Sequence, residues 1–525
     1  MNRSTPSRVW WPAAAVVLLH LGAAFWCIRH GAPNPDEGFY AAAARAVWEG
    51  SLPYRDFGYT QPPLLPYLNG LVMQLTGFGL FEQRAVNGVW AALTLVITAR
   101  LVARRSSVLT AAGAVLLFSL SAPWMYFIHL GKTYALTSLL VTVAAWIWLE
   151  RPPGWRKAAG IVLLGVIGTG CRLPAAPFFA LLALAAVLEP GPDHRGIRML
   201  ISAATIALAA AVLLVPFLWA APDAAMFWVI DFHRISVPLK SWHLAWQEVF
   251  TLAPALWLAA GIGFVAWLLG RSRPQKSSSS GELLSRSELV LGGAATVTLL
   301  CNLLPGGVYE EYAVPFLAPL AIPVGLALYR LARDRDPRLG FAFVASIAAF
   351  HFAAAPAVLW HDFPARRLSL SQWLTPNAPA FNPALPAQLA AARHIVETVV
   401  PAGTPIVGPN LILALETGRP VPPTLIMGPF SFNTTLPPAD ARHLNLATPA
   451  DYEAWLADPG IPLLAFFPQP QLNYGWTVPT FERLPESLVR RWVQLYRRDF
   501  VIIHQEGNFL LLARPSSLQA GPTLP

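Results

Sequence analysis

Charge is what this sequence has least of. Asp, Glu, Lys and Arg make up 12% of its 525 residues, about half the roughly 25% of a soluble globular chain. Hydrophobic residues reach 55%, and the mean hydropathy is +0.48. Cysteine is almost absent as well: Cys27, Cys171 and Cys301 fall within or at the ends of apolar segments with no paired spacing. That pattern argues against a disulfide framework or a zinc site. No GxxxxGKS, GxxxxGKT or GxGxxG loop stands between a strand and a helix, which argues against a nucleotide cofactor or nucleotide-bound donor. Neither a repeat of solenoid period nor a nucleophile-elbow motif is found. The chain is read as a polytopic, α-helical membrane protein, with twenty tryptophans and many long uncharged runs in support.

What is present is a set of apolar runs with basic ends. The net charge of +9 and pI near 9.7 arise from the Lys/Arg excess of cytoplasmic loops, not from nucleic-acid binding. The first run, about 10–28, follows Arg3 and Arg8 and is read as an uncleaved anchor with Trp10, Trp11 and Trp26 at its ends. Further runs at about 85–103, 106–128, 133–149, 158–171, 173–189, 199–221, 250–270, 289–305, 313–329 and 339–360 bring the count to about eleven transmembrane helices. The runs 158–171 and 173–189 are short, and Arg172 with Pro174 would form a very tight turn between them. With a cytoplasmic N-terminus, inside loops hold Arg104 and Arg105, Arg151, Arg156 and Lys157, Arg195 and Arg198, Arg271 and Arg273, and Arg330 to Arg338. Outside loops are poorer in such residues, and an odd span count places the C-terminus outside.

Two domains follow, a membrane module over 1–360 and a soluble α/β domain over 361–525 on the outer face, ending in a loose tail. In the second, AAARHIVETVV reads as a helix, TPIVGP and PLLAFF as buried strands, and FVIIHQEGNFLLLARP as a hairpin. The segment RSRPQKSSSSGELLSRSE reads as a cytoplasmic linker. The first outer loop, 29–84, carries two interfacial helices, PDEGFYAAAARAVWEG and LLPYLNGLVMQLTGFG. A second long outer loop, 222–249, holds Asp231, His233 and His243 at a spacing that matches no usual metal-ligand pair.

Residues 33–40, PNPDEGFY, fit a helix start: Asn34 as N-cap, Pro35 at N1, and Glu37 at N3 reaching back to the cap N–H. Asp36 is not needed by that cap. Polar residues gather at the same membrane face: Arg55, Asp56, Tyr59 and Gln61 in the first loop, Arg84 at the next span's outer end, then His129, Lys132, Arg172, Glu310, Glu311 and Tyr312. A site at one membrane face, and not a midplane channel, is what this distribution implies.

The stretch PDEGFYAAAARAVWEGSLPYRDFGYTQPPLLPYLNG, with FEQRAVNGVWAALTLVITARLVARR after it, resembles the first outer loop and second span of GT-C superfamily membrane glycosyltransferases. These use polyprenyl-phosphate-linked sugars and include protein O-mannosyltransferases and lipid A aminoarabinose transferases. The likeness is strongest over 30–105 and continues at Glu311-Tyr312…Pro315. It implies sugar transfer from a polyprenyl-phosphate donor to an acceptor hydroxyl of a glycolipid, protein or glycan, in a bacterial inner membrane with the C-terminal domain periplasmic. It implies Asp36 as general base. The leaving lipid phosphate is already anionic and needs cations, for which Arg84, Lys132, Arg172 and Arg55 are candidates. Tyr59, Gln61, Glu310, Glu311 and Tyr312 are further substrate candidates. A divalent metal ion is a candidate cofactor.

One departure bears on that metal. Several relatives carry a second acidic residue in the next outer loop, which here reads SAPWMYFIHLGK, without Asp or Glu. His129 is the substitute ligand to consider, with Glu37, Asp56, Glu310 and Glu311 as alternatives. Two other functions are compatible with the sequence: a flippase for a lipid-linked precursor, and a non-catalytic envelope-assembly protein acting through its outer domain.

Overall fold

The computed structural model describes residues 11–31, 33–34, 36–120, 122–235, 249, 253–271, 284–303, 310–332, 384–408, 411–431, 433, 436–466, 486–506 and 509–518. Its first part is a helical bundle: α1 (Trp11–His30), α2 (Glu37–Trp48), α3 (Leu64–Thr76), α4 (Leu80–Arg105), α5 (Val108–Ser119), α6 (Ala122–His129), α7 (Tyr134–Glu150), α8 (Trp155–Cys171), α9 (Ala176–Leu188) and α10 (Arg195–Leu213). After further short helices come α11 (Pro254–Arg271), α12 (Arg286–Leu303) and α13 (Leu317–Ala332). Trp11–His30, Leu80–Arg105, Arg195–Leu213 and Glu311–Leu331 are the segments long and apolar enough to cross a membrane, among the described residues. At 1.5 Å per residue the 26 residues of α4 reach about 39 Å, more than a ~30 Å hydrocarbon core.

Proline divides two of the expected spans. The run 106–128 breaks at Leu120, and α6 starts afresh beside Pro123. The run 199–221 ends as helix at Leu213, and Val215–Ala220 follows with Pro216 in its first turn. Proline lacks the N–H that the helix interior needs, but fits a first turn. The turn at Arg172 is present, with a 3-10 segment Leu173–Ala175 leading into α9. The run 339–360, the serine-rich stretch 272–283 and His243 lie outside the described residues.

The C-terminal part is α/β. Four strands, β1 (Ile406–Val407), β2 (Leu463–Phe466), β3 (Val501–Glu506) and β4 (Phe509–Ala513), form one sheet in the order β1-β2-β4-β3. β1 pairs parallel with β2, and the other pairings are antiparallel. Alternation sorts the strand residues. Leu464, Phe466, Leu510 and Leu512 pack with Tyr452, Trp492 and Tyr496, whereas Leu463, Ala465, Leu511 and Ala513 pack with Leu385, Leu389 and, from α4, Leu80. The sheet therefore rests through helix α14 (Leu385–Val399) against the start of α4.

Ionic groups sit at opposite ends of the bundle. Where α4 ends, Arg104 and Arg105 pair with Glu150. Nearby helix ends contribute Lys157–Glu189 and Arg330–Glu288. Between these and the α4 start lies a core of apolar side chains from α1, α4, α5, α7 and α13.

Candidate active site

α2 starts at Glu37 with Asp36, and not Asn34, at its N-cap position and without a side-chain cap bond, but the expected contact of Glu37 back to Asn34 is present. Glu37 Oε2 accepts from Asn34 N at 2.8 Å, and Asn34 Oδ1 accepts from Asp36 N at 3.0 Å. The two adjacent carboxylates then point at different partners. Glu37 turns inward to Arg84 on α4, taking Nε and Nη2 at 2.7 Å each. Arg84 Nη1 donates to the carbonyls of Ile28 and Gly31. Gln83, one residue before, donates from Nε2 to Glu37 O at 3.1 Å and to Gly131 O at 2.8 Å. Arg84 thus serves the architecture: its donors are spent on Glu37 and backbone, which removes it from the phosphate candidates.

Asp36 faces the connection between α6 and α7. Lys132 Nζ lies 2.6 Å from Asp36 Oδ2 and 3.6 Å from Glu311 Oε1, where Glu311 belongs to the 3-10 segment Glu310–Phe316 before α13. Lys132 and Glu311 side chains are 6% and 5% exposed, while Asp36 keeps 26%. Burial alone would lower the Lys132 ammonium, but Asp36, Tyr134 and Glu311 carry it well above the usual lysine range. Burial, then the Asp36 charge, pushes the Tyr40 hydroxyl up and keeps it protonated. Tyr59, fully buried, packs edge-on against Tyr40 with ring centroids 6.3 Å apart.

Arg172, at the end of α8, completes the cluster. Its guanidinium is stacked between the rings of Tyr134 and Tyr312, 4.6 and 4.5 Å from their centroids. Nη1 donates to Thr133 Oγ1 at 2.7 Å, whereas Nε and Nη2, although buried, have no hydrogen-bond partner among the described residues. Buried donors of a charged group are costly to leave unmatched, and the two here lie on one planar fork.

The remaining candidates fall elsewhere. Arg55 and Asp56 pair with each other, and Asp56 also accepts from Leu52 N, so they brace their own loop. Gln61 meets Tyr54 through its carbonyl. His129 is buried inside the bundle with its ring centroid 5.5 Å from that of His20, so it joins another histidine and not the carboxylates. The Glu310 side chain lies outside the described residues. Among the described residues no group of three or more His, Cys, Asp or Glu could hold a metal ion. Lys132 stands between the Asp36 and Glu311 carboxylates. Tyr40, Thr133 and Tyr134 were not singled out from sequence. Tyr40 stood within the quoted loop motif, but only the fold brings Tyr134 to Arg172.

No family model matches the sequence, and no curated protein does. Solved structures do: ArnT from Cupriavidus metallidurans in the apo state matches with TM-score 0.62, and the same protein bound to undecaprenyl phosphate with 0.58. Each is 14% identical, covering 97% of this chain and 98% of the other. The chain therefore shares its fold with ArnT, and the resemblance to GT-C enzymes in its first outer loop and second span is met at the level of the fold.

Proposed function

We propose that the chain is an integral-membrane glycosyltransferase that moves a sugar from a polyprenyl-phosphate donor to an acceptor hydroxyl at the outer face of the inner membrane. The acceptor is a glycolipid such as lipid A, a protein or an envelope glycan. The observation that carries this reading is Arg172, a buried fork with unmatched donors, grouped with Lys132 and Asp36. A lipid phosphate supplies the anion that such a fork lacks, and the fold neighbour ArnT has been solved with undecaprenyl phosphate.

In this reading Arg172 holds the phosphate in place while the anomeric carbon faces Asp36. The acceptor oxygen attacks that carbon and its proton passes to the Asp36 carboxylate. The bond from the anomeric carbon to the phosphate oxygen breaks, with its electron pair remaining on the phosphate. Arg172 and Lys132 stabilise the charge that develops there. No acid is needed, because the leaving group departs as an anion.

The test is transfer by the purified protein in lipid nanodiscs, using undecaprenyl-phosphate-linked hexose and pentose donors and an envelope extract as acceptor. A mass increment of one sugar on an acceptor, lost in Asp36→Asn with undecaprenyl phosphate binding retained, is the expected result. Unimpaired transfer by Asp36→Asn would overturn the base assignment. Translocation of the lipid-linked sugar without any transfer would replace the reading by a flippase.

A further inference from the structure

If Asp36 is a base, it is one already in use. An ammonium 2.6 Å from its Oδ2 already occupies the carboxylate to which the acceptor's proton would have to come. The same ammonium is also within 3.6 Å of Glu311, a carboxylate buried more deeply than Asp36. Among the described residues, the other charged or titratable groups facing the cluster are Tyr40 from α2, Tyr134 from α7, Arg172 from the end of α8, and Tyr312 beside Glu311. Two cations thus stand with two carboxylates, one pair-sharing lysine among them.

Sugar transfer moves negative charge in one direction. Asp36 gains the acceptor's proton and becomes neutral. The donor phosphodiester, a monoanion, leaves as a phosphate monoester bearing one more negative charge. A cation fixed on Asp36 opposes the first change and stands too far off to assist the second; a cation that follows the charge serves both. A buried ammonium left unpaired on the way would be expensive, and Glu311 supplies a partner for that interval.

On the donor reading given above, we propose that Lys132 is a travelling countercharge, drawn off Asp36 by a lipid phosphate bound at Arg172, with Glu311 as the positioning residue that keeps it paired. The base is then armed only when the donor is in place. An empty site does not deprotonate acceptors, and donor binding precedes chemistry.

The probe is undecaprenyl phosphate alone, with the full chain in nanodiscs. Native mass spectrometry reports lipid binding. Dicyclohexylcarbodiimide, which modifies protonated carboxyl groups, reports Asp36 by peptide mapping. In the wild type, bound lipid is expected to raise Asp36 labelling about tenfold, the factor given by about 1.4 kcal/mol of lost ion pairing. Glu311→Gln should bind the lipid without that rise, and Glu311→Asp should restore it. Lys132→Met should label strongly with and without lipid, which keeps the test decisive should Glu311→Gln fail to fold. Bound lipid with unchanged wild-type labelling overturns the proposal, as does an equal rise in Glu311→Gln. A wild type that does not bind undecaprenyl phosphate overturns the donor reading itself.

Discussion

Glu37 and Arg84 meet in a two-pronged ion pair with 0% and 2% of their side chains exposed, joining the start of α2 to the start of α4. Because both charges are buried, removing one strands the other, at a cost of about 3–5 kcal/mol. Arg84→Met and Glu37→Gln should each lower stability by that order. The double variant Glu37→Met/Arg84→Met should be no worse than the poorer single one. Denaturant unfolding in detergent micelles, followed by tryptophan fluorescence, measures all three.

Arg172→Lys should separate charge from shape. Lysine keeps the positive charge but loses the planar fork and the stacking between Tyr134 and Tyr312. Hydrogen bonds to charged groups contribute about 1.5–3 kcal/mol, so undecaprenyl phosphate affinity should fall roughly 10- to 100-fold. Titration of nanodisc-held protein checks this, and an unchanged Kd would remove Arg172 from the phosphate site.

Gly131 precedes Lys132, and a methyl group there would overlap the Gln83 amide. Gly131→Ala should displace that amide from the Glu37 and Gly131 carbonyls and cost about 1–3 kcal/mol through overpacking. Adding Gln83→Ala relieves the overlap. Thermal unfolding should show the double variant recovering part of the loss.

A pH effect is expected where the sheet domain meets α4. Glu416 accepts from Leu80 N at 2.7 Å. Burial, with a further contribution from Glu82, pushes its carboxyl above the ordinary 4.5, while Leu80 N and Arg393 pull the other way. The folded state therefore holds this proton more tightly than the unfolded chain does. Stability from this group is present below pH 4.5 and declines as pH rises through the folded value. Glu416→Gln should flatten that slope, as seen in unfolding midpoints measured across the acidic range.

Local signals carried the sequence reading furthest. The Asn34–Glu37 contact, the turn at Arg172, the strands at Ile406 and Leu463 and the terminal hairpin are written in neighbouring residues, and each is present, although the helix itself starts later than Asn34. Pairings across the chain were not legible. Arg84 read as a free cation because nothing near it in sequence reveals Glu37. The missing acid in the outer loop SAPWMYFIHLGK directs attention to His129. The second carboxylate on Lys132 is instead Glu311, far along the chain. Charge type could be read from composition, but the choice of partner depends on how helix ends converge.

The first loop is also held from far away. Asn445 Nδ2 donates to Tyr54 O, 391 residues earlier, and Trp228 Nε1 donates to Leu444 O. Tyr54 sits at φ 70°, a left-handed backbone that a bulky residue adopts only under constraint. During synthesis, then, the segment leading to Tyr59 is made early and its clasp late. Helices can form as they emerge, but contacts of such long sequence separation close last. Catalytic competence is on this account a property of the finished chain: a nascent or truncated copy would possess Asp36 and Lys132 before the loop beside them had been locked.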